Sequence, residues 1–150
     1  MDTVEGRESG ARVEDPEGVR AEWLARLDVL ATEVQRWVEP AGWRTRLVSK
    51  PTRDSILGRF EVPLLLMERD GVEIALNPVS RFVPGADGAV DLYVVPAYDE
   101  VAGLYLEAGR WTIHHASPET RAGGNGEPPP RPLTEATLNQ VLDAMAARGV

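Results

Sequence analysis

The chain has 150 residues, with 24 Asp and Glu against 16 Lys and Arg, for a formal charge of −8. At 43% hydrophobic and 27% charged it has the composition of a folded domain, and its length suffices for a core without staples. It contains no cysteine, which excludes disulfides, thiolate zinc sites, cysteine nucleophiles and iron–sulfur ligation.

Residues 1–18 contain no aromatic side chain and few apolar ones, and read as a disordered acidic tail. From Val19 the pattern becomes helical. Trp23, Leu27, Leu30, Val34, Trp37 and Val38 share one face, Glu22, Arg26, Glu33 and Arg36 lie on the other, and Pro40 and Gly42 end the segment. After Trp43 the period is two, with Arg44, Arg46, Val48 and Lys50 on one side of a strand. Pro51 to Gly58 reads as a break. Phe60 to Glu68 reads as a central strand, with a bulge expected at Pro63 because proline lacks a ladder donor.

Asp70-Gly71 is a hairpin signal leading into a strand from Val72, which Pro78 interrupts. Strands then follow over Val90 to Val95, Val101 to Glu107 and Arg110 to Ala116, the last two joined at Ala108-Gly109. Connections this short leave no room for crossover helices, so the strands are expected to be antiparallel. Residues 117–132 hold five prolines and three glycines and read as a flexible linker. Over 133–150, Leu138, Val141, Leu142 and Met145 repeat with helical spacing, with Thr134 as the expected N-cap. The expected fold is α+β: an N-terminal amphipathic helix packed on a five- to six-stranded antiparallel meander over 19–116, a Pro/Gly linker and a C-terminal helix.

The charge is uneven. Residues 44–59 carry five bases and one acid, whereas residues 60–107 carry nine acids against Arg69 and Arg81. Arg44, Arg46, Lys50 and Arg53 are therefore the candidates for contacting phosphate or an acidic partner. In a molecule of charge −8, three or four such contacts make weak duplex binding, and no aromatic lies between Arg44 and Arg59 to stack a base. The expectation is that nucleic acid is not the partner.

Catalytic patterns are sparse. His114 and His115 are adjacent, so in a strand they point to opposite faces and cannot close on one metal. No serine sits in a nucleophile elbow, and no glycine run ends in Gly-Lys-Ser/Thr. The only lysine, Lys50, lacks the acid two residues before it that a restriction-type nuclease core would place there. No catalytic residue, metal site or cofactor is assigned. Asp91, Asp99, Glu100 and His114 remain as carboxylates and an imidazole that could serve a metal-dependent hydrolase or nuclease if the fold brought them together. Tyr93 on the polar side of its strand, Tyr98 in a turn and Arg81 could form an exposed patch of the side-chain types that carry binding energy.

The order of elements and the acidic charge resemble those of small bacterial interaction proteins such as secretion chaperones and toxin-immunity proteins. The resemblance is one of size, charge and layout and covers no motif. It implies a non-catalytic module that acts by binding a protein partner, whose surface is expected to be basic. The longest apolar run, Val62–Met67, is six residues against the roughly 18 that span a bilayer. The acidic N-terminal stretch has no apolar signal region, so no membrane contact and a cytoplasmic location are expected. A metal-dependent hydrolase or nuclease, and a nucleic-acid-associated accessory protein, are the alternatives.

Overall fold

Asp15 starts the first helix by accepting from the Gly18 N–H at 3.1 Å, and Pro16 occupies the first turn, where its missing donor costs nothing. Helix α1 (Pro16–Val38) therefore begins inside the stretch expected to be tail. A 3-10 turn (Glu39–Ala41) and Gly42, at φ 99°, end it, and the chain turns back so that Trp43 is buried. The computed structural model describes residues 14–96, 101–115 and 129–149, with side chains described to Ala147.

The apolar stripe of α1 closes on an antiparallel sheet. Its strands are β1 (Arg44–Asp54), β2 (Gly58–Arg69), β3 (Val72–Ser80), β4 (Gly88–Val94), β5 (Val101–Glu107), β6 (Arg110–His114) and β7 (Arg131–Pro132). They lie side by side in chain order, a seven-stranded meander rather than one of five or six. The additional strand falls inside the expected linker, where Arg131 and Pro132 pair with Ile113 and Thr112. The rest of that linker, 117–128, lies outside the described residues. Two of the hairpins follow local turn chemistry. Asp70 and Gly71 have φ 54° and 83°, Ala108 and Gly109 have φ 51° and 78°, and positive φ at both central residues matches the twist of the flanking strands.

The prolines act differently from the sequence expectation. β1 runs through Pro51 to Asp54, and its pairing with β2 continues without a slip from Arg44↔Glu68 to Asp54↔Gly58, so Pro63 makes no bulge. Pro51 and Pro63 fall on the same parity of that pairing, so one phase of the ladder leaves both nitrogens pointing away from the partner strand. What Pro63 ends is the ladder on its other side. The β2–β3 register stops at Leu65↔Leu76, and two further steps would set Pro63 opposite Pro78, where neither can donate. Beyond that point the buried positions of β2 change phase, from Leu65 and Met67 to Val62. The register slip lies instead on β3, between Pro78 and Ser80.

Lys50 bridges the gap left by the two prolines. Its Nζ donates to Asn77 Oδ1 and, at 3.3 Å, to the Pro78 carbonyl, tying β1 to β3 across β2. At the far end of the same hairpin Arg20 Nη1 donates to the Leu57 carbonyl at 2.7 Å, which fastens the β1–β2 turn to the start of α1.

Helix α2 (Glu135–Gly149) begins with reciprocal bonds between Thr134 and Thr137: each backbone N–H donates to the other's hydroxyl, at 2.9 and 3.1 Å. Leu138, Val141, Leu142 and Met145 are all buried in one core with Trp23, Leu27, Leu30 and Val34 of α1 and with Leu65, Ile74, Leu76, Leu92, Leu104 and Ile113 of the sheet. α2 contacts α1, β3 and β4, so the C-terminal helix docks on its own sheet. Arg69 secures it from the β2–β3 turn, donating to Asp143 Oδ1 at 2.8 Å while its guanidinium lies 4.4 Å from the centre of the Trp43 ring. No helix among the described residues is long and apolar enough to cross a membrane.

Candidate functional site

Directly paired residues of neighbouring antiparallel strands share a face, so the register sorts the side chains. Leu65, Leu76, Leu92 and Ala102 line one row of the face under the two helices. Asn77, Asp91, Gly103 and His114 line a row of the opposite face, against which no described helix packs.

Two tyrosines flank that row. Tyr93 stands between Ala75 and Val101 on one side, and Tyr105 between Ala89 and Thr112 on the other. Gly103 is required here. A Cβ at that position would come within 2.9 Å of the Tyr105 ring, so the ring leans over the glycine into the space between Asp91 and His114. It meets the His114 ring edge to face, with centroids 4.9 Å apart. Leu66 and Arg46 extend the Tyr93 row toward the sheet edge. All of the aromatic and leucine side chains on this face are half-buried.

The site residues expected from sequence fall into three groups. Asp91, Tyr93, His114 and Lys50 come together on this open face, as alternation and register dictate. Lys50 is not a free cation: its ammonium is spent on Asn77 and Pro78, and burial holds its pKa below the ordinary lysine value, with the Asp91 charge pulling partly back. Arg44 and Arg46 lie on the same face and are matched by acids of β2 and β3. Arg44 Nε donates to Glu68 Oε1 at 3.0 Å, and Arg46 stands 3.7 Å from Glu73. These four side chains border a shallow cleft with Thr45 and Leu66. Arg81 is elsewhere, which corrects the expected patch. Its Nη1 donates to the Asp87 carbonyl at 2.7 Å, and it lines a cavity with Glu22, Trp23 and Arg26 of α1. Tyr93 is six residues further along the chain from Asp87, about 20 Å in an extended strand. Tyr98, Asp99 and Glu100 lie outside the described residues.

Tyr105 and Asn77 belong to the site; the sequence singles out Tyr105 only as one of three tyrosines, without a place in the site, and Asn77 not at all. Alternation marks Tyr105 as sharing a side with Gly103, but only the pairing of β5 with β4 and β6 reveals what the ring covers.

Asp91 and His114 are two strands apart, about 9–10 Å between backbones, with the Tyr105 ring between them. The described residues contain no group of three or more Asp, Glu and His side chains placed to hold a metal. What the face offers is contact: two tyrosines, a histidine and two leucines, bordered by matched charges. Comparison with known families, curated proteins and solved structures finds no match for this chain.

The Arg44–Glu68 pair carries a pH prediction. The hydrogen bond from Arg44, then the Gly71 N–H, hold the Glu68 carboxyl below its ordinary value of 4.5. A group depressed in the folded state stabilises the fold above its unfolded pKa and loses that contribution as pH falls through the folded value. The melting-temperature advantage of the wild type over Glu68→Gln is thus full near neutral pH and closes in acid below 4.5. The effect is small because the pair is exposed. A difference that widens in acid would contradict the assignment.

Proposed function

We propose that this chain is a non-catalytic binding module that holds a protein partner against the helix-free face of its sheet. The observation that carries the reading is the disposition of the layers. Both helices cover one face, and the other presents Tyr105, His114, Leu64 and Leu66, half-buried, without a described element over them. Tyrosine is among the side chains that most often dominate binding energy, because it offers a large rigid contact and a polar tip at little entropic cost. The charges nearest this patch are internally matched, so its contact energy comes from the rings and leucines. The overall charge of −8 favours encounter with a basic partner. Chaperone-, adaptor- or immunity-like action in a bacterial cytoplasm is the finer form of this proposal.

A photo-reactive amino acid placed at Tyr93 in the cells that make the protein tests it. One discrete cross-linked species is expected from Tyr93, and none from the same group at Val29, which is 66% exposed on the outer side of α1. Equal, diffuse labelling from both positions would remove the support for this face as the docking surface.

A further inference from the structure

The two arginines of the β1–β2 hairpin differ from Arg44, Arg46 and Arg69, each of which has an acid beside it. Arg53 and Arg59 are directly paired across the hairpin and both are exposed. Like charges directly opposite each other destabilise a strand pair. The chain has 24 acids, and it sets one beside Arg44, Arg46 and Arg69, yet among the described residues neither Arg53 nor Arg59 has an acidic partner. Glu61, next along their face, accepts from the Ser49 hydroxyl, and Asp54 accepts from the Ile56 and Leu57 N–H groups of the turn.

These arginines flank an open edge. β1 is the first strand of the sheet and runs for 11 residues, and no described strand pairs with its outer side. Such a row of unpaired backbone groups is a template for a further strand. Pro51 removes one position from it, which leaves Arg44 to Lys50 as the continuous stretch, with Leu47 49% exposed at its centre. A shallow groove of about 570 Å3, lined by Pro51, Thr52, Arg53, Arg59, Phe60 and Glu61, continues from it. Self-pairing is disfavoured, because a second copy would set one basic stretch of residues 44–59 against another. The same charge selects an acidic strand.

We propose that the β1 edge is a peptide-binding site that takes an extended acidic segment of a partner protein. The backbone of the segment adds to Arg44–Lys50, and its carboxylates neutralise Arg53 and Arg59. This edge adjoins the face bearing Tyr93 through Arg46 and Leu66, but the proposal does not depend on a partner there.

The probe is a fluorescein-labelled peptide of alternating glutamate and valine, titrated with the full chain and read by anisotropy at low salt. Saturable binding is expected, weakened at least tenfold in Arg53→Glu/Arg59→Glu and at least tenfold for the glutamine–valine counterpart. Arg53→Lys/Arg59→Lys keeps most of the affinity. The single variant Arg53→Glu separates binding from folding. It faces Arg59 with an opposite charge, so it melts no lower than the wild type while losing the peptide. Absence of saturable binding, or binding that survives both charge reversal and the glutamine peptide, overturns the proposal.

Discussion

Leu142→Ala is expected to destabilise the whole chain by about 2–5 kcal/mol, the range for truncating a fully buried leucine where the surroundings cannot close the cavity. Leu142 is completely buried in α2, with Leu138 and Met145 equally so on the same stripe, against β3, β4 and α1. At this chain length each kcal/mol lowers the melting temperature by roughly 2–4 °C. Thermal unfolding followed by far-ultraviolet circular dichroism should show one transition, shifted as a whole. The alternative it tests is that the C-terminal helix rides on a tether and folds independently of the sheet. In that case the main transition would stay in place and only a small helical signal would melt early.

Gly88→Ala is the second large effect, and it comes from adding atoms instead of removing them. An added Cβ at Gly88 would lie 2.6 Å from Cζ3 and 2.7 Å from Cη2 of Trp23. That ring is 2% exposed and packs against Trp111, with centroids 6.3 Å apart, so it has little room to retreat. Overpacking of this kind costs roughly 1–3 kcal/mol. Near-ultraviolet circular dichroism should change together with stability, because the displaced group is an indole. In a Trp23→Phe background the smaller ring leaves space, and the added cost of Gly88→Ala should fall. Strict additivity of the two substitutions would show that they do not meet.

Three structural expectations failed at a distance from the residues that raised them. Pro63 suggested a bulge in its own strand, yet its effect is on the pairing with β3, where Pro78 would stand opposite. Arg81 and Tyr93 looked like one patch on residue type alone, but Arg81 bonds to Asp87 just before β4 while Tyr93 lies near the other end of that strand. Residues 131–132 read as linker by composition, and β6 takes them as a short edge strand through Thr112 and Ile113. For Pro63 and for residues 131–132 the deciding partner lies 15 or more residues away on another strand.

What the amino-acid order determined by itself is the set of local elements. The α1 stripe, the two hairpins at Asp70-Gly71 and Ala108-Gly109, the Thr134 cap and the antiparallel meander all rest on interactions within a few residues, where periodicity and backbone preference act directly. The side of the strand on which Asp91, Tyr93 and His114 stand was legible for the same reason. Tertiary structure alone decided that both helices cover one face, that Tyr105 leans over Gly103 between Asp91 and His114, that Lys50 spans the gap left by two prolines, and that Arg53 meets Arg59 with no acid beside it. Those outcomes depend on register and on which apolar faces close on each other, and both are settled only when distant segments bury their side chains together.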